Sequence, residues 1–371
     1  MSSLADKFIK SSSKMKGAGR LSEVTKEEKQ LYNTGIYALN LAYSGDLHGG
    51  VTDGIHCLAG KSRSFKSMFG LLSCKAYLDA YEDAYMIFYD SEGGASEDYF
   101  KSVGIDTDRV IYIPIMNIED LKFDMMEKLE AIKKEYDETK QYSHFVFFTD
   151  SIGNLASVKE VNDAIDQKSV ADMSRAKALK SLFRIVTPYF ANYKMYWIPI
   201  MHTYDEIGGM GAPKQIMSGG QGGMLSSNSV FVLGKRQVKD GKDLLGWNFV
   251  LNAEKSRTIR EKSAIPVEVL YEGGIDRYTG LLDIALATGH VEKPKMGWYT
   301  RTTVEGDKNW RKKDTSCPEF WDPLLNSEDF CNAVKDMYKL SGGGQVLQDK
   351  LDTILSDDEQ LDPETGEILS S

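Results

Sequence analysis

The chain has little that would tie it to a membrane, a metal cluster or an oxidising compartment. It holds four cysteines, Cys57, Cys74, Cys317 and Cys331, with no CxxC pair and no regular bridge spacing. That pattern argues against structural zinc and a disulfide scaffold, and favours a reducing compartment. No apolar run approaches the ~18 residues of a membrane span. The opening stretch MSSLADKFIKSSSKMKGAGR has Lys7, Lys10, Lys14, Lys16 and Arg20 against Asp6 but no apolar centre, so neither secretion nor a membrane partner is expected. No internal repeat stands out, which excludes a solenoid.

Net positive charge is also missing, but the deficit is local. The formal charge is −10, and residues 351–371 hold seven acids (Asp352, Asp357, Asp358, Glu359, Asp362, Glu364, Glu367) with no Lys or Arg, leaving 48 acids against 45 bases in residues 1–350. A near-neutral body can bear a basic groove, so nucleic acid stays open as a partner. At 371 residues the chain exceeds the usual single core, which predicts one domain of roughly 250 residues with smaller attachments.

What is present is organised around Ala59 to Ser67, AGKSRSFKS, between the strand-like run Gly54 to Leu58 and a helix-compatible stretch from Met68 to Ala80. Gly60, Lys66 and Ser67 match G-x-x-x-x-G-K-[ST] at every fixed position but one, where Phe65 replaces the last glycine. In such a loop the backbone N–H groups of Gly60, Lys61, Ser62, Arg63, Ser64, Phe65, Lys66 and Ser67 surround the phosphates of ATP. Lys66 meets the terminal phosphates, and Ser67 places its hydroxyl on Mg²⁺.

The surrounding pattern is α/β. Tyr85 to Tyr89 and Phe145 to Thr149 are short apolar runs that stop at an acid, as buried parallel strands do. Tyr196 to Met201 reads as another, with Pro199 a local misfit. Leu121 to Lys134 and Ser169 to Tyr189 have helical spacing, the second expected to end near Pro188. Leu4 to Ile9 reads as a short amphipathic turn, and Thr25 with Glu28 as a helix start. Asp205 to Ser229 contains seven glycines and is expected to be a long mobile loop. Trp247 to Ala253 is expected to pair with Ser229 to Leu233 across Lys239 to Asp243, and Pro266 to Leu270 to form a further strand. The aromatics Trp298, Tyr299, Trp310, Phe320, Trp321 and Phe330 are expected to fill a small C-terminal core, although the bases among them leave a nucleic-acid face open.

A phosphate loop needs a second metal anchor and a group to direct water. Asp150, ending FVFFTD, suits the first task, and Glu92, just past MIFYD, the second. Asp90 competes with Glu92, and the residues alone do not separate them.

The set TGIYALN, AGKSRSFKS, IFYDSE, VFFTDSIGNLAS, SVADMSRAKALKSLFRIVTPYF and MHTY, with the glycine-rich stretch, resembles the RecA-type strand-exchange recombinases, and most closely their T-even bacteriophage branch. Members of that branch also have SFKS in place of the glycine. The resemblance spans roughly residues 1–350. It implies an α/β fold: a RecA-like P-loop ATPase core with a mostly parallel central sheet, a short N-terminal helical element and a small C-terminal α/β domain. The corresponding division is 1–30 for protomer docking, 31–276 for the core, 277–350 for the small domain and 351–371 for an acidic tail expected to be disordered and to tune access to DNA. It also implies a DNA-dependent ATPase that forms helical filaments on single-stranded DNA and exchanges strands with duplex DNA, acting in the cytoplasm of an infected bacterial host.

By the same resemblance, Tyr99 stacks on adenine and His202 senses the terminal phosphate. Lys255 and Arg257 reach the neighbouring protomer's nucleotide. The DNA-binding segments are about Ser157 to Arg175 and Asp205 to Ser229, with Arg175, Met210, Lys214 and Met217 as contacts. Implied partners are a single-strand DNA-binding protein, a recombination mediator and a helicase. A RecA-fold ring motor such as a helicase is the alternative, followed by a small-molecule kinase and a scaffold that binds ATP without hydrolysing it.

Overall fold

Short apolar runs ending on a polar residue become the parallel strands. The computed structural model describes residues 3–12, 18–20, 22, 30–167, 174–205, 215–218, 221–304 and 306–340. The expected helix start at Thr25, the residues Met210 and Lys214 and the acidic tail lie outside them. Two units are distinguished, residues 1–35 with 48–227, and residues 36–47 with 228–371.

Along the chain come α1 (Leu4–Ser11), β1 (Leu31–Tyr32), α2 (Tyr37–Ser44), β2 (Val51–Thr52), β3 (Gly54–Gly60), α3 (Lys66–Ala80), β4 (Tyr85–Asp90), α4 (Glu97–Ser102) and β5 (Val110–Pro114). Then follow α5 (Ile118–Thr139), β6 (Phe145–Asp150), α6 (Val158–Ile165), α7 (Ser174–Asn192), β7 (Tyr196–Asp205), β8 (Gln215–Met217) and α8 (Gln221–Ser226). All but α2 lie in the first unit. Its parallel strands run β5-β4-β6-β7-β3. The chain steps from β4 outward to β5 and then back across to β6, so the order reverses between β4 and β6. In open α/β sheets ligands bind at the carboxyl ends of the strands, outside such a reversal.

Helices α5 and α7 bury one apolar face each, Leu121, Met125, Leu129 and Ile132 on the first, and Leu179, Leu182, Phe183, Val186 and Phe190 on the second. Phe183 and Phe190 stack on Trp197, with ring centroids 5.0 and 6.0 Å away. The Trp197 indole N–H donates to Thr149 Oγ1 at 2.9 Å, which satisfies both buried polar groups and ties β7 to β6. Pro188 lies inside α7 and does not end it. A proline removes one helical hydrogen bond, but Phe190 beyond it is fully buried and holds the last turn in place. Pro199 lies within β7 opposite Thr149, and β7's pairing to β3 is interrupted between Trp197 and Ile200. The missing N–H accounts for that gap.

Two expected loops hold regular structure. Asp205 to Ser229 contains β8, antiparallel to the end of β7, and α8. Ser157 to Arg175 contains α6, capped by a reciprocal Ser157–Glu160 pair, and the start of α7. Glycine content hid the first and the Asn/Asp-rich sequence the second, since both lower helix and strand propensity.

The second unit carries β9 (Ser229–Asp240), β10 (Asp243–Ser256), β11 (Ala264–Leu270), β12 (Gly274–Ile275) and α9 (Leu281–Ala287). β13 (Val291–Lys295), β14 (Trp298–Arg301), β15 (Trp310–Arg311), α10 (Pro318–Leu325) and α11 (Glu328–Tyr338) follow. β9 to β12 form an antiparallel meander, with Gly241 at φ +56° in its first turn. Tyr299, Trp310, Phe320, Trp321 and Phe330 are buried, and the Arg301–Asp307 ion pair at 2.6 Å is buried beside them. Burial alone would raise the Asp307 carboxyl, but hydrogen bonds from Arg301 and Trp310 bring it down to about 2.

Candidate active site

The carboxyl ends of four parallel strands bring the sequence candidates into one row. Gly60 on β3 pairs with His202 on β7, and Asp90 on β4 pairs with Asp150 on β6. The ends of β4 and β6 are stitched further, because Ser91 N–H donates to Asp150 O at 3.0 Å and Ser91 Oγ donates to Ser151 O at 2.7 Å. The Asp150–Ser151 peptide is cis.

Phe65 occupies the glycine position of the loop in a left-handed conformation, φ +66° and ψ 17°. A left-handed residue with a side chain costs about 1–2 kcal/mol, which is why glycine is usual there. Phe65 meets that cost with an edge-on contact to Phe69 in the first turn of α3, at 5.4 Å between centroids. The backbone therefore keeps the turn that the general motif requires. Lys66 is buried, and its Nζ donates to Lys61 O at 2.8 Å, so its charge lies within the loop. Between β3 and α3, Lys61, Ser62 and Arg63 are exposed and Ser64 is buried, with Arg63 also left-handed at φ +60°.

The side chains of Ser67 and Asp150 lie side by side at this row. Burial raises the Asp150 carboxyl above the usual range, with Glu92 and Asp90 adding to the rise, while the Ser67 hydroxyl and Lys66 oppose it. A hydroxyl and a carboxylate are hard oxygen donors, so the pair fits Mg²⁺ in place of the proton that burial favours. Ser67, Glu92, Tyr99 and Asp150 line one cavity of about 250 Å³. Burial, with Asp150 nearby, pushes the Tyr99 phenol up to about 12.

The two acids left open by sequence have different environments. Asp90 is buried, and its Oδ1 accepts the N–H groups of Glu92 at 2.9 Å and Gly93 at 2.8 Å, while Oδ2 accepts from Tyr112 at 3.2 Å. It shapes the turn after β4. Glu92 is exposed, and its Oε1 accepts from Ser151 Oγ at 2.7 Å, Asn154 Nδ2 at 2.7 Å and His202 Nε2 at 3.1 Å. Ser151 and Asn154 were not singled out by sequence, and only their place just after the strand-ending Asp150 could have signalled them. Gly153 packs on His202 so closely that a Cβ there would lie 2.5 Å from His202 Cδ2.

Other candidates lie elsewhere. Arg175 does not face outward: its Nε donates to Leu155 O and its Nη2 to Gly153 O, both at 2.8 Å. Met217 is buried on β8. Both were assigned to DNA through the resemblance. Lys255 and Arg257 lie in the second unit at the end of β10, where a register shift between Ala253 and Lys255 re-aims the strand. Arg257 is exposed.

Known proteins resemble this chain in sequence. A chain described as "Recombination and repair protein" from Enterobacteria phage T4 is 43% identical over 366 residues, covering 96% of this chain and 91% of that one. The chain belongs to the UvsX-type recombination and repair proteins of the RecA family. A family model for the C-terminal domain of the phage T4 recombination and repair protein matches residues 278–334, within the second unit. RecA proteins are more distant: that of Nocardioides sp. is 26% identical over 272 residues, covering 71% of this chain and 70% of its own, and that of Streptomyces venezuelae is 25% identical over 307 residues, covering 80% and 74%. UvsX-type membership carries the class of activity, an ATP-dependent DNA strand-exchange recombinase acting in recombination, repair and replication. It also implies the use of ATP with Mg²⁺, single- and double-stranded DNA as partners, and assembly into oligomeric filaments.

Proposed function

We propose that this UvsX-type protein hydrolyses ATP at the row of strand ends, with Glu92 directing the attacking water and His202 reporting the state of the terminal phosphate to the 205–229 segment. The observation that carries the reading is the Glu92–His202 contact at 3.1 Å beside the Ser67–Asp150 pair. Lys66 and the loop N–H groups from Gly60 to Ser67 hold the phosphates, and Tyr99 stacks on the base. Ser67 and Asp150 hold Mg²⁺, which when bound neutralises charge on the phosphate oxygens. Glu92 accepts the proton of the water, as a carboxylate within hydrogen-bond reach can.

Lys255 and Arg257 complete the site of the next protomer in a head-to-tail filament, an open heterologous assembly. Helix α1 serves as the docking arm. Leu4 and Phe8 are 65% and 63% exposed and none of its residues is buried, which suits an apolar face completed by a neighbour. The segments 157–175 and 205–229 face single-stranded DNA, with the exposed Lys177 and Lys180 beside the first supplying charge. A single-strand DNA-binding protein, a mediator and a helicase act with the filament in the infected host's cytoplasm.

The test is ATP hydrolysis with and without single-stranded DNA, run in parallel with Glu92→Gln. Strong stimulation by DNA that E92Q loses supports the assignment. A full rate in E92Q rejects Glu92 as the water-directing group, and a rate indifferent to DNA rejects the coupling.

A further inference from the structure

All three protein donors to Glu92 meet the same oxygen. Ser151 Oγ, Asn154 Nδ2 and His202 Nε2 converge on Oε1, and among the described residues Oε2 receives none. The carboxylate is thereby rotated so that one oxygen is held by protein and the other is left to accept a proton. His202 couples this oxygen to β7 and the segment that follows it. Asn154 couples it to something else.

Asn154 is the last residue of the single-turn helix Ile152–Asn154, whose backbone is held by the first turn of α7. Arg175 donates to Leu155 O at 2.8 Å, Gly153 O at 2.8 Å and Ile152 O at 3.4 Å, so its guanidinium grips both sides of Asn154. Ser157 Oγ and Ser174 Oγ meet at 2.5 Å, closing the base of the segment between them. On its other side the turn is tied to the start of α5, where Ile118 N–H donates to Ala156 O at 3.0 Å. A displacement of α7's first turn therefore acts on the turn that carries Asn154, while α5 holds the far end. Rigid hydrogen-bonded geometry of this kind transmits small shifts, and a misplacement of about 1 Å at a catalytic group can cost ~10²-fold in rate.

We infer that Asn154 is a positioning residue that sets the orientation of the Glu92 carboxylate according to the state of the 157–175 segment, through Arg175. The inference rests on the reading of Glu92 as the group that directs water. It gives the site two independent inputs on one oxygen, His202 from one DNA-side segment and Asn154 from the other. Asn154 is exposed, so replacing it does not open the core.

The experiment compares Asn154→Ala and the isosteric Asn154→Asp, which also lacks the amide donor, with the parent chain and with E92Q. Four quantities are read on the full-length protein: kcat with and without single-stranded oligothymidine, KM for ATP, and oligothymidine affinity in the presence of a slowly hydrolysed ATP analogue. Both Asn154 variants are expected to lower the ratio of stimulated to unstimulated kcat by about tenfold, with KM and DNA affinity within about twofold of the parent. Arg175→Ala is expected to lower the ratio in the same direction. A preserved ratio in either Asn154 variant while E92Q is inactive overturns the role of Asn154 and leaves that of Glu92 standing. A fall in the ratio matched by an equal loss of DNA affinity also overturns it, since Asn154 would then act by touching DNA. A fully active E92Q removes the reading on which the inference rests.

Discussion

Two histidines on paired strands of the parallel sheet have opposite surroundings. His56, near the start of β3, is 1% exposed, and its Nε2–H donates to Thr52 O at 2.7 Å. His202, on β7 opposite the last residue of β3, keeps 28% of its side chain exposed and turns its Nε2 to a carboxylate. The His56 ring lies edge-on to Tyr196, which packs with Tyr32 and Tyr77 in a set whose ring centroids are 4.7–5.4 Å apart. Tyr77 and Tyr32 place their hydroxyls on backbone or carboxylate oxygens, so that end of the sheet is apolar with its polar groups satisfied locally. At the other end, polar side chains at the ends of β4, β6 and β7 gather, with Glu92 on His202 and with Asp90, Glu92 and Asp150 lining a cavity. The same residue type is therefore packed into the core at one end and partly exposed beside a carboxylate at the other, and burial with a local partner distinguishes the two.

The largest way to break this contrast is at the carboxylate. Glu92→Gln removes the base but keeps the shape and the capacity to accept hydrogen bonds. DNA-stimulated hydrolysis is expected to fall by about 10²–10⁴-fold, whereas the denaturation midpoint stays near that of the parent because Glu92 is an exposed side chain. Steady-state kinetics with a thermal melt on the same preparation checks both halves. A large drop in stability would move Glu92 to the structural side of the comparison.

The next effect belongs to His56. Burial pushes its imidazole down from 6.5 to about 4, with the hydrogen bond to Thr52 opposing. The unfolded chain then binds a proton that the folded chain refuses between these values. The contribution is full above pH 6.5 and is lost as pH falls towards 4, amounting to about 3 kcal/mol. Chemical denaturation at several pH values between 4 and 7, on the parent and on His56→Gln, reads the difference. The parent is expected to lose stability more steeply on acidification, and parallel curves would remove His56 as a source of acid sensitivity.

A smaller effect is expected at Gly153. A Cβ there would lie 2.5 Å from His202 Cδ2 and 2.9 Å from its backbone nitrogen, so Gly153→Ala must shift either the turn or β7. Backbone cannot yield as a flexible side chain does. Hydrolysis is expected to drop by about tenfold with little change in ATP binding, measured as kcat against KM. By contrast, Gly70→Ala would place its Cβ 2.4 Å from Phe148 Cε2, against a buried ring and not against His202, and is expected to lower stability first.

Much of this was legible in the sequence. The strands ending at Asp90 and Asp150 announced themselves because a strand buried on both faces needs an uninterrupted apolar run. Gly60, Lys66 and Ser67 were fixed by motif spacing. What the residues alone left open was decided by distances that composition does not encode. Asp90 and Glu92 are two residues apart, yet one is spent on backbone N–H groups and the other faces His202. Ser151 and Asn154 reach Glu92 across about 60 positions of sequence, a proximity that exists only once β4 and β6 are paired. Arg175 was placed at DNA by the resemblance; the three carbonyls it holds belong to a turn about twenty residues away.

The smallest effect is expected where the sequence departs from the general motif. Phe65→Gly restores the usual residue at φ +66°, and relief of left-handed strain offers about 1–2 kcal/mol. Two losses oppose it. Glycine gives the unfolded chain more freedom, worth about 0.5–1 kcal/mol, and the edge-on contact with Phe69 disappears, worth about 0.5–1.5 kcal/mol. The net change in stability is expected to lie within about 1 kcal/mol of zero, read by chemical denaturation. A gain clearly above that would mean the Phe65–Phe69 contact does not compensate the strain. A loss clearly above it would mean the ring is chiefly a packing element, with the left-handed turn held by the strand and helix on either side whatever residue occupies it.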